Sequence, residues 1–163
     1  MSATFEDLAV VRQAHIDLFN HYAHALDGRN WGALADLFTE DASFSFARSL
    51  GFGAGETDKA LIEGRDQLVG MIRGSIESLS ATHHLLSNHV VDVDGGTASA
   101  SCYFRAYHAG KDERAHLFEE SLGRFDIATV RLPSGWKIRR MHESIMIMLG
   151  TAEAFGVTPA LQG

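Results

Sequence analysis

The sequence predicts an α+β fold in which a strongly curved antiparallel sheet packs on three helices and encloses an apolar cavity. Up to residue 79, apolar residues recur mostly at helical spacing, interrupted by strand-like residues between the second and third helices. From residue 82 onward, polar and apolar residues alternate in long runs that glycine-containing turns separate. A run of helices followed by a run of strands is typical of α+β proteins, whereas a parallel sheet requires helices and strands to alternate.

The apolar spacing predicts three helices. The first covers residues 5–26, where apolar side chains recur at intervals close to 3.6 residues: Leu8, Val11, Leu18, Tyr22 and Leu26. Gly28 suits the position just past its end, and Asn30 is the expected N-cap of the second helix, which begins at Trp31. The third helix is predicted over residues 65–79.

The strands are predicted from alternation and turn residues. A first strand follows Asp41, where Phe44 and Phe46 alternate with serines. The glycine-rich segment 48–59 is predicted to be a loop, with GFGAG (51–55) as a flap and a short strand at 60–63. Four long strands are then expected, the first two forming a hairpin through Gly95-Gly96: residues 82–94, 97–108, 116–132 and 136–148.

Length and composition indicate one globular domain over residues 1–163, with 45% apolar and 21% charged residues. A formal net charge of −7 without a basic run disfavours binding to nucleic acid. The longest late apolar run, residues 145–149, is too short to span a membrane, and Glu6 and Asp7 stand where a signal peptide carries positive charge. The single Cys102 forms no internal disulfide and is expected in the core, so we expect a cytoplasmic protein.

Asp27 stands at the seam between the first two apolar helices, where a carboxylate is costly to bury without a partner. An Asp before Gly is also a common turn or capping residue. The candidate partner is His84, in the strand-like stretch ATHHLLSNHVV. Alternation places His84 and Asn88 on one face and His83 on the other, but both faces are partly polar, so periodicity leaves open which one lines the cavity.

Three stretches together resemble the SnoaL-like branch of the nuclear transport factor 2-like superfamily: HYAHALDGRNWGALADLFTEDASF, THHLLSN and GRFDIATVR…GWKI. The branch includes scytalone dehydratase, bile-acid 7α-dehydratases, hexachlorocyclohexane dehydrochlorinase and polyketide cyclases. The resemblance implies a cone of curved antiparallel sheet wrapped on helices, and covers the chain to about residue 145.

The resemblance also implies site residues. Several lyases of this branch use an Asp–His pair without a metal or organic cofactor, and the pair falls on Asp27 and His84. The tyrosine of the bile-acid dehydratases falls on Tyr22, which either donates a hydrogen bond to substrate or packs in the helix. Some members add an acid or arginine on later strands, but the stretch CYFRAYH (102–108) has no carboxylate.

Further side chains are candidates for binding substrate. They are residues that share a strand face or flank the expected cavity: Asn88, Tyr103, Arg105, Tyr107, His142 and Phe44. For the residues on each strand, two alternatives remain: their side chains either line the cavity or face solvent. The nine histidines show no metal-ligand spacing, because adjacent His83 and His84 point to opposite faces, so we expect neither metal nor cofactor.

The favoured hypothesis is a cofactor-independent lyase of the dehydratase type, or an isomerase, acting on a small hydrophobic ring compound. His84, supported by Asp27, would remove a proton from an acidified carbon. The alternative is a non-catalytic ligand-binding module or the small subunit of a ring-hydroxylating dioxygenase. We expect a homo-oligomer, a dimer or trimer, with the tail 151–163 either capping the cavity or contacting a partner.

Overall fold

A computed structural model describes residues 5–49 and 56–156. Its helices are α1 (Phe5–Asp27), α2 (Trp31–Asp36) and α3 (Arg65–Glu77). Its strands are β1 (Phe38–Ser49), β2 (Glu56–Glu63), β3 (Ala81–Asp94), β4 (Thr97–Ala109), β5 (Phe118–Leu132) and β6 (Gly135–Gly150). Two single-turn 3₁₀ helices lie at Asp112–Arg114 and Ala152–Phe155.

The six strands form one curved, unclosed sheet in the order β2-β1-β6-β5-β4-β3. β1 joins β6 in parallel, and every other neighbouring pair is antiparallel. The predicted α+β fold is therefore confirmed, with one parallel junction inside the sheet. That junction arises because β1 and β2 form a hairpin that docks beside the last strand.

The helices pack their apolar stripe against the inner face of the sheet. The apolar side chains that are almost completely buried there come from helices and strands alike, among them Phe19, Leu34, Phe38, Leu68, Ile138 and Met141. Cys102 is buried among them, as expected, and burial raises the pKa of its thiol to about 12. Asn30 caps α2 as predicted, because its side chain accepts from the backbone N–H of Ala33 at 3.0 Å.

The predicted loop over residues 48–59 is too long. β1 continues to Ser49 and β2 already begins at Glu56, so the two strands form a longer hairpin than the sequence pattern indicated. The glycines and polar residues at 48–59 favour a loop locally, but strand pairing overrides that preference. The predicted flap at 51–55 lies outside the described residues.

A β-bulge in β3 changes which side chains face inward. The pairing register with β4 shifts between Ser87 and Val90, and Asn88 has a left-handed φ of 57°. Asn88 and Val90 are therefore exposed, whereas His89 turns inward and its ring lies 5.5 Å from Phe19. The prediction that Asn88 shares the face of His84 is wrong, because simple alternation does not hold across a bulge.

The described part of the tail lies over one end of the sheet. Arg114 donates hydrogen bonds to the carbonyls of Ala154 (2.6 Å) and Ser78 (3.1 Å), which ties the last 3₁₀ turn to the end of α3. Phe155 then contacts His108, with ring centroids 4.9 Å apart. This segment covers the inner face of the sheet, while residues 157–163 are outside the described part of the chain.

Candidate functional site

A cavity of about 320 Å³ lies between α1, α3 and the concave face of the sheet. Its wall is mainly apolar, with Phe44 and Phe46 from β1, Ile72 from α3 and Phe125 from β5 among the lining residues. This volume is at the lower end of the range for small-molecule pockets, which are commonly apolar with a few convergent polar groups. Phe44, one of the predicted binding residues, therefore lies in the wall of this cavity.

Asp27 is the last residue of α1, and its carboxylate receives three hydrogen bonds from β3. The hydroxyl of Thr82 donates to Oδ1 at 2.8 Å, and the backbone N–H of His84 donates to Oδ2 at 2.9 Å. The Nδ1 atom of the His84 ring lies 2.7 Å from Oδ1. The carboxylate at the helix seam is therefore held by both backbone and side chains of the neighbouring strand.

This geometry determines the state of both partners. Burial by itself would raise the pKa of Asp27, but the hydrogen bonds from His84 and Thr82 outweigh it and lower the pKa below its usual value. An ionised carboxylate only accepts hydrogen bonds, so the Nδ1 atom of His84 carries the proton. The other ring nitrogen, Nε2, is then left with a free lone pair on a side chain that lines the cavity.

A second histidine–carboxylate pair lies beside the first and was missed in the sequence. Nδ1 of His108 is 2.6 Å from Oε2 of Glu119, and the hydroxyl of Ser121 donates to the other Glu119 oxygen. Only 10% of the His108 side chain and 3% of the Glu119 side chain are exposed. The rings of His84 and His108 meet edge to face with centroids 5.7 Å apart, so two oriented imidazoles border the same cavity.

The sequence contains a signal for His108. Cys102, Phe104 and Ala106 are the apolar members of the alternating strand β4, and all are buried. His108 continues that set by two residues, so alternation predicts an inward-facing histidine at the end of the strand. For Glu119 the signal is weaker, because Glu119 and Glu120 are adjacent and only the register decides which faces the cavity.

Several predicted binding residues lie on the outer face of the sheet instead. Tyr103 and Tyr107 are 51% and 40% exposed, and Arg105 between them pairs with Glu120 at 2.5 Å. Nδ1 of His142 lies 2.7 Å from the Ser45 hydroxyl, and its neighbours in β6 rather than His142 itself line the cavity. The prediction that these residues line the cavity is wrong, since the apolar alternate positions take the inner face.

Tyr22 lines the cavity and is only 3% exposed. Its ring packs edge-on against Phe38 and Phe125. Burial, with smaller contributions from Glu143 and Cys102, raises the pKa of its phenol well above the usual value. The hydroxyl is therefore neutral and is a potential hydrogen-bond donor.

Within residues 5–49 and 56–156 no group of three side chains is arranged to hold a metal ion. No helix in the same ranges has both the length and the apolar character needed to cross a membrane.

The fold and the cavity define the class of protein. A curved, unclosed sheet packed on three helices is the α+β architecture of nuclear transport factor 2-like proteins. The chain belongs to the SnoaL-like domain family, which it matches over residues 10–142. The resemblance in the sequence is thereby confirmed.

One relative and several solved structures are similar to this chain. An uncharacterized protein of Mycobacterium tuberculosis is 31% identical over 144 residues, 87% of each chain. A candidate aromatic ring hydroxylase from Novosphingobium aromaticivorans has a TM-score of 0.75 at 27% identity, covering 94% of this chain and 99% of that one. A candidate scytalone dehydratase from the same organism has a TM-score of 0.76 at 23% identity, covering 91% and 92%.

The structure at 23% identity and further solved structures at 13–15% identity show a shared fold alone. The latter include hexachlorocyclohexane dehydrochlorinases and the β subunit of a candidate aromatic-ring-hydroxylating dioxygenase.

Proposed function

We propose that the protein is a cofactor-independent lyase that eliminates a β-leaving group, most simply water, from a small hydrophobic ring compound. The observation that carries this proposal is the Asp27–His84 pair in the wall of an apolar cavity. The carboxylate orients the imidazole, and its negative charge stabilises the imidazolium that forms when Nε2 accepts a proton. A general base of this kind suits a carbon acid whose ring is held by apolar walls.

The second pair supplies the acid for the leaving group. His84 removes the proton from carbon, and the C–H electrons form the new double bond as the C–O bond breaks. The departing oxygen takes a proton from His108, whose imidazolium form Glu119 stabilises, and leaves as water. After the product leaves, His84 releases its proton to solvent and His108 takes one up, which resets both groups.

Tyr22 is a further catalytic candidate in this scheme. Its neutral hydroxyl lies in the cavity wall and would donate to an oxygen of the substrate. An isomerase would use the same base but return the proton to another carbon, without loss of a group.

A panel of ring alcohols with the hydroxyl β to an acidified C–H tests the proposal. The native protein is expected to convert at least one member to the unsaturated product, detected by the new conjugated absorbance and by loss of water in the mass spectrum. Proton exchange with deuterated solvent without loss of water would indicate the isomerase. Ligands that bind but are recovered unchanged and unexchanged would contradict catalysis and favour the ligand-binding module.

The homo-oligomer, a dimer or trimer, stays a prediction. Several apolar side chains of β5 and β6 are exposed to solvent near Tyr107. They include Phe118, Ile147 and Leu149. Covering such an apolar face is a common reason for association. Light scattering that reports the mass of a single chain would contradict the prediction.

A further inference from the structure

The carboxyl group of Glu143 is the cavity group that the mechanism above does not use. Glu143 lies on β6, paired in register with Phe125 on one side and Phe46 on the other. Its side chain lines the cavity, and no described residue donates a hydrogen bond to it or forms an ion pair with it. Asp27 and Glu119 differ from it, because each already binds a histidine.

The surroundings of Glu143 disfavour its charged form. Burial, and then the nearby carboxylate of Glu119, raise its pKa to about 7. A carboxyl group that keeps its proton carries an O–H donor as well as acceptor oxygens. At neutral and lower pH, much of Glu143 is therefore a hydrogen-bond donor in an apolar wall.

The titratable groups around Glu143 can be named from each neighbouring element. α1 contributes Tyr22, β3 contributes His84, β4 contributes His108 and β5 contributes Glu119. The described cavity-lining residues of β1 and α3 are uncharged, and the lining contains neither lysine nor arginine. Among the described lining residues only His84 and His108 can become cationic, and each already lies against its own carboxylate rather than Glu143.

We propose that Glu143 is a substrate-binding residue that donates a hydrogen bond, as a neutral carboxylic acid, to an uncharged carbonyl oxygen on the ring compound. That the ligand is a ring compound rests on the proposed function. The role of Glu143 narrows the expected substrates to neutral ring ketones. Donation to the carbonyl acidifies neighbouring C–H groups, because it stabilises the negative charge that moves onto the oxygen when a proton leaves.

Position in the sheet separates the backbone of Glu143 from that of the histidines. His84 lies in register with Ala106, and Ala106 with Ser121, whereas Glu143 is in register with Phe125. Phe125 is four residues farther along β5, a backbone separation of roughly 13 Å at the rise of a strand. Glu143 and the histidines therefore enter the cavity from different positions along the strands, so one ligand can contact both.

Binding of a bicyclic ketone, 1-tetralone, and of its hydrocarbon analogue tetralin tests this role without any turnover. The variants are Glu143→Gln, which keeps an uncharged donor, and Glu143→Leu, which removes it. Glu143→Leu is expected to bind 1-tetralone roughly tenfold more weakly, the usual effect of one buried hydrogen bond. Tetralin affinity should not fall, and Glu143→Gln should retain most of the ketone affinity.

Two further readouts separate a donor from a merely structural residue. The infrared carbonyl stretch of bound 1-tetralone should lie at lower frequency in the native protein than in Glu143→Leu. Ketone affinity of the native protein should fall as the pH rises from 6 to 8, because an ionised carboxylate cannot donate, and should stay level in Glu143→Gln.

Three results would overturn the proposal. They are no binding of 1-tetralone to the native protein at millimolar concentration, equal ketone affinity in all three proteins, or an equal loss in the Gln and Leu variants. If the Gln and Leu variants lose affinity equally, and the native protein prefers the cation 1-aminotetralin, then Glu143 is ionised and binds cationic ligands. His84→Asn should still bind the ketone, because Glu143 is unchanged in that variant. A protein that binds ketones but does not eliminate a leaving group would therefore contradict the lyase proposal and not this one.

Discussion

Replacing His84 by asparagine is expected to reduce turnover of the ring substrate by about 10²–10⁴-fold, the usual contribution of a positioned general base. Asparagine fills a similar space and is uncharged. The backbone N–H of residue 84 still donates to Asp27, at 2.9 Å in the native structure, so the helix seam should keep its local order. The loss should therefore appear in kcat rather than in the stability of the protein.

His83→Asn is the matched control for this experiment. His83 is the adjacent residue on β3, but it is exposed on the opposite face. Its replacement should leave turnover within about twofold of native, since exposed substitutions away from special features usually have small effects. Full activity in His84→Asn, or equal losses in both variants, would contradict the assignment of His84 as the base.

Gly123→Ala is expected to cost about 3 kcal/mol of unfolding free energy, the upper part of the usual range for overpacking. A Cβ atom at residue 123 would lie 2.1 Å from the carbonyl oxygen of Ser144 and 2.8 Å from the ring of Phe104. The first atom belongs to the backbone of β6, so the two strands would have to separate. Phe104 in turn stacks on Phe125 at 4.4 Å, and Phe125 lines the cavity.

Gly70→Ala provides the control for the glycine substitution. Gly70 lies in α3, and an added Cβ meets no atom within 4 Å. Alanine has a higher helix propensity than glycine, so this variant should gain up to about 1 kcal/mol. Urea denaturation of both variants measures the effects, and a Gly123→Ala protein as stable as the native one would contradict the close approach of β5 and β6.

The elements and one pair of site residues were predictable from the sequence for physical reasons. The apolar stripe of α1 ends at Leu26, so its spacing indicated where Asp27 would lie. Burial of that carboxylate required a partner, and the family resemblance directed attention to His84. The structure brings the two side chains together at 2.7 Å.

Other parts of the site depend on strand register, which a single sequence specifies weakly. Alternation assigned Asn88 to the same face as His84, but the bulge at that residue reverses the pattern after Ser87. The tyrosines of β4 were attractive as binding residues because they are large and polar. Their exposure follows from the apolar residues that alternate with them, Cys102, Phe104 and Ala106, which take the inner face.

Glu119 and Glu143 illustrate the limit of sequence patterns for charged groups. A glutamate in a strand is usually solvated, and neither residue has a neighbour in sequence that indicates burial. Their inward position is a property of the whole sheet, since β5 and β6 must pair with the correct register for both to meet the cavity. Polar residues of this kind are found only after the strands have been placed.

The central claim is that Asp27 holds His84 as a base with Nε2 free, and the ring-nitrogen NMR signals of His84 test it most directly. In the native protein at alkaline pH, Nδ1 should carry the proton and Nε2 should show the chemical shift of an unprotonated nitrogen. In Asp27→Asn, the side-chain amide can donate to Nδ1 instead, so the population with the proton on Nε2 should increase. A native protein with the proton on Nε2, or a tautomer ratio that ignores the Asp27 substitution, would contradict the account.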